Sequence, residues 1–185
     1  MLRVDREIRL GHFYYNLPGW FDFQDIYKDM VRSSLYKAHF VEVGCYHGKS
    51  AAFMGVEIFN SGKKIRLDCV DLFAPQEDIK DIPSIIEVYE NLSPLYEIVD
   101  YRLVQGKSAI ISNNYLDKSL DFVFIDADHK YQSVAADINH WRPKVREGGV
   151  IAGHDFVTSY PGVIRAVKES FKNFHVRNNS WLVYV

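Results

Sequence analysis

Two apolar runs in this chain stop abruptly at acids. LDFVFI ends at Asp126, with Asp128 and His129 close behind in FIDADHKY, and GVIAG ends at the pair His154 and Asp155. A carboxylate at such a point can hold a cation, accept a proton or only close a turn, and an imidazole, titrating near neutral pH, can act as a general base. His154 is the stronger base candidate because Asp155 stands beside it. Asp128 and His129 have a simpler use as the cap of the helix that opens at Lys130.

VEVGCYHGKS carries a different chemistry. Gly44 and Gly48 let the backbone turn tightly near a ligand, and the amides opening the next helix offer donors to a polar or anionic group. The spacing is E-x-G-x-x-x-G, with Tyr46 where a dinucleotide fingerprint needs its second glycine, so a diphosphate is disfavoured. Glu42 suits a ligand with an ammonium or sulfonium centre; the alternative is a glycine turn with Glu42 solvated or paired. LDCVD ends at Asp71, whose carboxylate can accept from both hydroxyls of a ribose. In QGKS, Gly106 permits close approach and Ser108 can bond an adenine edge. Three successive strand ends thus carry groups suited to one nucleoside ligand.

Short apolar segments alternate with longer segments of helical period, which argues an α/β domain with a mostly parallel sheet. Strands are predicted at 38–44, 65–71, 101–106, 120–126 and 149–155, with two more in FHVRN and SWLVYV. One helical stripe is Val134, Ile138, Trp141 and Val145, ended or kinked by Pro143; another is Val163, Val167, Phe171 and Phe174. Further helices are expected after Gly48, near 85–92, and over 22–35 with Phe23, Ile26, Tyr27 and Met30 facing inward. HFYYNLPGWFDF, upstream, reads as a cover packed on the sheet, with a substrate lid or subunit contact as the alternative.

The 185 residues are 48% hydrophobic and suit one packed domain. Twenty-two basic against 24 acidic residues, without a basic stripe, argue against nucleic acid. No apolar run is long enough to span a membrane. Cys45 and Cys69 form neither a disulfide framework nor a C-x-x-C site, so reduced thiols in a soluble, cytoplasmic protein are expected.

Taken together, these motifs resemble class I S-adenosylmethionine-dependent methyltransferases. VEVGCYHG is similar to their first motif, Asp71 in CVDLF to the ribose-binding acid, and GKS to the adenine-side loop. FIDADHKYQSVAADINHWRPKVREGGVIAGHD resembles a branch that includes small-molecule and sugar O-methyltransferases. The resemblance implies a Rossmann-like three-layer sandwich whose seven-stranded, mostly parallel sheet has an antiparallel last strand. It implies one domain over 1–185, with 1–37 as aromatic cover and helix and 38–185 as cofactor-binding core. It also implies cofactor contacts from Glu42, Gly44, Tyr46, Gly48, Asp71, Gly106, Ser108 and Asp126.

In that branch Asp126 and Asp155 close adjacent strands, and such hard oxygen ligands suit Mg²⁺. His154 departs from the branch's all-oxygen pattern. The implied reaction is methyl transfer to an oxygen of a small polar acceptor, with catalytic roles for His154, Asp126 and Asp155. A non-catalytic binding module and a nicotinamide-dependent oxidoreductase are the alternatives. A small-molecule substrate and a second copy of the chain are the expected partners, with neither nucleic acid nor membrane among them.

Overall fold

The computed structural model describes residues 9–74 and 81–185; the first eight residues of the expected N-terminal cover lie outside this set. Seven strands, β1 (His39–Val43), β2 (Arg66–Asp71), β3 (Tyr101–Gln105), β4 (Leu120–Ile125), β5 (Val145–Gly153), β6 (His175–Arg177) and β7 (Ser180–Tyr184), form one sheet in the order β3-β2-β1-β4-β5-β7-β6. β1 pairs in parallel with β2 and β4, as do β2 with β3 and β4 with β5, while β7 runs antiparallel to β5 and β6. The antiparallel last strand is as expected. The order reverses between β1 and β4, and such a reversal opens a crevice at the carboxyl ends of the strands.

The alternation of buried side chains along the strands divides the core. Phe40, Phe122 and Phe124 face α1 (Gln24–Ser33) and α2 (Lys49–Ser61), where Phe23, Tyr27 and Met54 are buried. Val41, Val123 and Ile151 face α5 (Tyr131–Trp141) and α6 (Pro161–Ser170), where Trp141 and Val167 are buried. The aromatic N-terminal segment packs on the first of these layers: the Phe23 and Phe124 rings stack at 4.5 Å, and Phe21 meets Phe23 edge-on at 4.7 Å. Local chemistry sets the helix ends. α3 (Ile85–Asn91) starts on a capping box between Ser84 and Glu87, α6 has Pro161 at its first position, and α2 ends at Gly62 with φ +68°.

Three details depart from the sequence expectation. Val145 opens β5 instead of continuing the α5 stripe, because α5 stops at Trp141 and Pro143 sits in a 3-10 turn, Arg142–Lys144. β5 ends at Gly153, so His154 and Asp155 lie just beyond the strand, in the crevice. A short helix, α4 (Ser108–Ile111), follows β3 where only a loop was expected. Among the described residues no helix is long and apolar enough to cross a membrane.

Two glycines with left-handed backbones separate strain from crowding. A Cβ on Gly44 (φ +92°) would lie 1.9 Å from the Asp126 carbonyl oxygen, whereas one on Gly62 (φ +68°) would meet nothing within 4 Å. Gly44→Ala should therefore cost at least ~3 kcal/mol, and Gly62→Ala only the ~1 kcal/mol of a left-handed alanine. In a chain of this size each kcal/mol shifts Tm by roughly 2–4 °C, so thermal melts should separate the two variants by several degrees. Equal melting temperatures would show that the Gly44–Asp126 approach relaxes without cost.

Candidate active site at the carboxyl edge of the sheet

β1 leads into a turn that the chain itself holds open. Gly44 donates its N–H to the Val70 carbonyl at 2.9 Å, and Gly48 donates to the Cys45 carbonyl at 2.8 Å. Tyr46 has φ +49°, a left-handed conformation uncommon for a residue with a side chain. The Asp71 carboxylate stabilises it: Oδ2 accepts from the amides of Cys45 (2.8 Å) and Tyr46 (3.0 Å), and Oδ1 accepts from the Phe73 amide at 3.1 Å. These bonds occupy three of the roughly four acceptor positions of a carboxylate, leaving about one for a ribose hydroxyl. Asp71 thus lies where the sequence placed it, with a structural duty the sequence did not disclose. His47 sits edge-on to Tyr46 at 4.3 Å, and its carbonyl accepts from Asn91.

Glu42 is engaged within the fold. The sequence offered it to a cationic ligand or to a partner, and the structure has the partner: Glu42 is 1% exposed and its Oε1 accepts from the Tyr27 hydroxyl of α1 at 2.9 Å. The Cys69 thiol lies 3.8 Å from Oε2, and Cys45 completes a buried group of three. Burial pushes the Glu42 carboxyl up to about 7, against the pull of hydrogen bonds from Ser50 and Tyr27, and the charge of Asp126 adds to the rise.

Ser108 is engaged within the fold as well. Its Oγ accepts from the indole N–H of buried Trp141 at 2.7 Å, and it also bonds the buried Asp137. A buried indole needs an acceptor, and Ser108 supplies it with one of the two acceptor positions of its hydroxyl. Gly106 and Gly48 are required by packing as well as by turning. A Cβ on Gly106 would meet Ile111 at 2.8 Å, and one on Gly48 would meet Leu92 at 3.2 Å.

Across the crevice, β4 and β5 bring the second constellation together. Ile125 pairs with Gly153, the His154 amide donates to the Ile125 carbonyl at 3.0 Å, and the Asp126 amide donates to Val43 at 2.7 Å. Asp126 therefore stands beside both the glycine turn and His154. His154 Nδ1 lies 3.3 Å from Asp155 Oδ1 and 3.8 Å from Asp126 Oδ1, and its Nε2 lies 2.7 Å from Asp22 Oδ1. His129 Nε2 contacts Asp155 Oδ2 at 2.7 Å, with its ring stacked on Tyr160 at 4.1 Å. Asp155 adopts φ +60°, and its side chain reaches both imidazoles.

These neighbours alter the proton chemistry. Burial opposes a charge on His154, but the hydrogen bond to Asp155 and the charges of Asp126, Asp155 and Asp22 outweigh it and push the imidazole up to about 9. With no cation bound, these carboxylates therefore favour the protonated imidazole near neutral pH, which weakens His154 as a free base and leaves its Nδ1 proton to be displaced by any ion that binds there. Asp126, 24% exposed at its side chain, is pushed by burial up to about 6, with the charge of His154 opposing. Asp155 is held well below the usual carboxylate range: burial would raise it, but hydrogen bonds from His129 and His154 prevail.

Asp128 and His129, expected as one cap, separate. Asp128 accepts from the Lys130 amide (3.1 Å) and the Ser133 hydroxyl (2.6 Å), a turn role, whereas His129 joins the acid cluster. Asp22 was missed altogether. It precedes α1 and meets His154 across 132 positions of sequence, a contact with no local signal.

Residues 41–156 match a family model described as a methyltransferase domain, an interval running from β1 to just past Asp155. An uncharacterized protein of Acanthamoeba polyphaga mimivirus is 27% identical over 121 residues, 63% of this chain; the match spans about half of that relative, 51%. Among solved structures, the O-methyltransferase NovP superposes with a TM-score of 0.66 at 18% identity, covering 86% of this chain and 77% of NovP. MycE methyltransferase of the mycinamycin biosynthetic pathway, in complex with Mg and SAH, superposes with a TM-score of 0.59 at 17% identity, covering 92% of this chain and 52% of MycE. At these identities the structural likeness is one of fold.

The sealed Glu42 has a consequence for stability. A carboxyl whose pKa rises from 4.5 unfolded to about 7 folded contributes stability that is full below pH 4.5 and is lost as the pH climbs through 7. Glu42→Gln keeps an acceptor for Tyr27 and removes the titration. Melting temperature should therefore fall less between pH 5 and 8 in the variant than in the parent; parallel curves would show that Glu42 does not titrate in that window.

Proposed function

The chain belongs to a methyltransferase-domain family, and on that premise we propose that it transfers the methyl group of S-adenosylmethionine to an oxygen of a small polar acceptor. One observation carries the reading: the turn held by Asp71 and the Asp126–His154–Asp155 cluster face each other across the crevice between β1 and β4. The nucleoside belongs on the β1–β2 side, against the left-handed turn, with the remaining acceptor position of Asp71 for a ribose hydroxyl. The methyl group then lies towards Asp126.

Transfer is an in-line displacement. The acceptor oxygen forms a bond to the methyl carbon, the carbon–sulfur bond breaks, and the sulfonium leaves as a neutral thioether. The chain's task is to hold the acceptor oxygen behind the methyl carbon and receive its proton. Since His154 is paired to three carboxylates, the Asp126 carboxylate is the group placed to take that proton in the absence of a cation, with His154 beside it. Where a divalent cation binds instead, Asp126 and Asp155 would hold it, and it would lower the pKa of a coordinated hydroxyl so that no side-chain base is needed at Asp126. MycE, a fold neighbour captured with Mg and SAH, supports both halves of this arrangement.

Calorimetry with S-adenosylhomocysteine should register binding, and Asp71→Asn should weaken it about tenfold, equivalent to ~1.4 kcal/mol. Absence of binding to well-folded protein sinks the proposal, and preferential binding of NAD would favour the oxidoreductase. The pairing of His154 with Asp22, Asp126 and Asp155, which leaves no unpaired imidazole as a base, favours as a second reading a module that binds without catalysis. Product binding with no methyl transfer to any of a panel of phenols and sugars, with and without Mg²⁺, would support that reading.

A further inference from the structure

The N-terminal segment does more than cover the sheet. Immediately before α1 it delivers Asp22 to the acid cluster, where Oδ1 lies 2.7 Å from His154 Nε2 and Oδ2 accepts from the Asn179 side-chain amide at 2.7 Å. With both oxygens engaged, by groups beyond β5 and between β6 and β7, the carboxylate is fixed in orientation. The next residue, Phe23, lays its ring 4.9 Å from the His154 imidazole. His154 is therefore gripped at its outer nitrogen and along its ring.

That grip determines what the inner nitrogen presents. With Nε2 donating to Asp22, Nδ1 faces Asp155 Oδ1 at 3.3 Å and Asp126 Oδ1 at 3.8 Å, and the three residues offer ligand atoms all within 4.8 Å of one another. Neighbouring donors around an ion with bonds of ~2.1 Å stand about 3 Å apart, so modest closure would bring these atoms onto one ion. A cavity of about 10 Å³ lies against Asp126, His129, His154 and Asp155. That is near the ~10–15 Å³ a single water needs. Asp155 is steadied in turn by His129 on its other oxygen, at 2.7 Å.

We propose that Asp22 is the positioning residue of a mixed nitrogen and oxygen cation site formed by Asp126, His154 Nδ1 and Asp155, and that this donor set takes a first-row transition ion in preference to Mg²⁺. A ligating imidazole commonly donates its other N–H to a carboxylate, which fixes its tautomer and raises its basicity. Mg²⁺ is served best by carboxylates and waters, whereas an imidazole donor suits transition ions. The inference rests on the metal-assisted form of the reading above, and it makes the docked N-terminal segment a condition for a competent cation site.

Mn²⁺ is the probe, because its electron paramagnetic resonance reports both affinity and ligands. The parent protein should bind Mn²⁺ against a tenfold excess of Mg²⁺ and show nitrogen modulation in the spin echo, which His154→Gln should abolish. Asp22→Ala should weaken Mn²⁺ binding by about 10- to 100-fold, and Asp22→Asn, which keeps the shape, by less; calorimetry with S-adenosylhomocysteine on each variant checks that it is folded. Displacement of Mn²⁺ by equimolar Mg²⁺, nitrogen modulation that survives His154→Gln, or unchanged affinity in both Asp22 variants would overturn the proposal. Binding of S-adenosylhomocysteine with no Mn²⁺ uptake would overturn it and leave the methyl-transfer reading standing. Mn²⁺ uptake without nucleoside binding would do the reverse.

Discussion

The approach of β1 to β4 at Gly44 and Asp126 is the constraint on which the carboxyl edge depends. Gly44 has no Cβ because the Asp126 carbonyl occupies the space, and the Asp126 amide is tied back to Val43 at 2.7 Å. One backbone contact therefore fixes the distance between two chemistries. On one side the chain turns left-handed through Tyr46 towards α2; on the other it delivers Asp126 to the cluster with His154 and Asp155. A side chain at residue 44 would force these two halves apart.

The N-terminal segment ties that edge to the interior. Tyr27 bonds Glu42 beneath the glycine turn, Asp22 bonds His154 beyond β5, and Phe23 packs between the Phe124 and His154 rings. Two buried or half-buried charges thus depend on residues outside the β-α alternation. Burial alone would discharge both Glu42 and His154. Pairing decides differently in the two places: the hydrogen bonds to Glu42 are too weak to offset its complete burial, whereas three carboxylates outweigh the partial burial of His154.

Much of this was legible from periodicity. The strands lie within a few residues of their apolar runs, and the glycines at 44, 48 and 106 stand where the backbone leaves ordinary geometry. Position within the fold made Asp71, Asp126 and Asp155 recognisable as strand-end acids. What a side chain does there depends on partners distant in sequence. Ser108 serves Trp141, 33 residues away, because a buried indole must be satisfied; Asp22 reaches His154 across 132. Val145 was assigned to the wrong element for a local reason, since an apolar residue four after Trp141 continues a helical stripe unless Pro143 first ends the helix.

The polar groups at this edge are largely satisfied before any ligand arrives, which bears on how binding can be favourable. Exchanging one hydrogen bond for another contributes only about 1 kcal/mol net, so Asp71 cannot supply affinity merely by trading its amide partners for hydroxyls. Its larger contribution is to hold Cys45 and Tyr46 in a conformation the free chain would rarely visit. A ligand that meets this turn does not have to order it. The same reasoning applies across the crevice, where Asp22, Asn179 and Phe23 have already restricted the His154 ring. Shape fixed in advance, by hydrogen bonds the chain makes to itself, is what this edge offers a ligand.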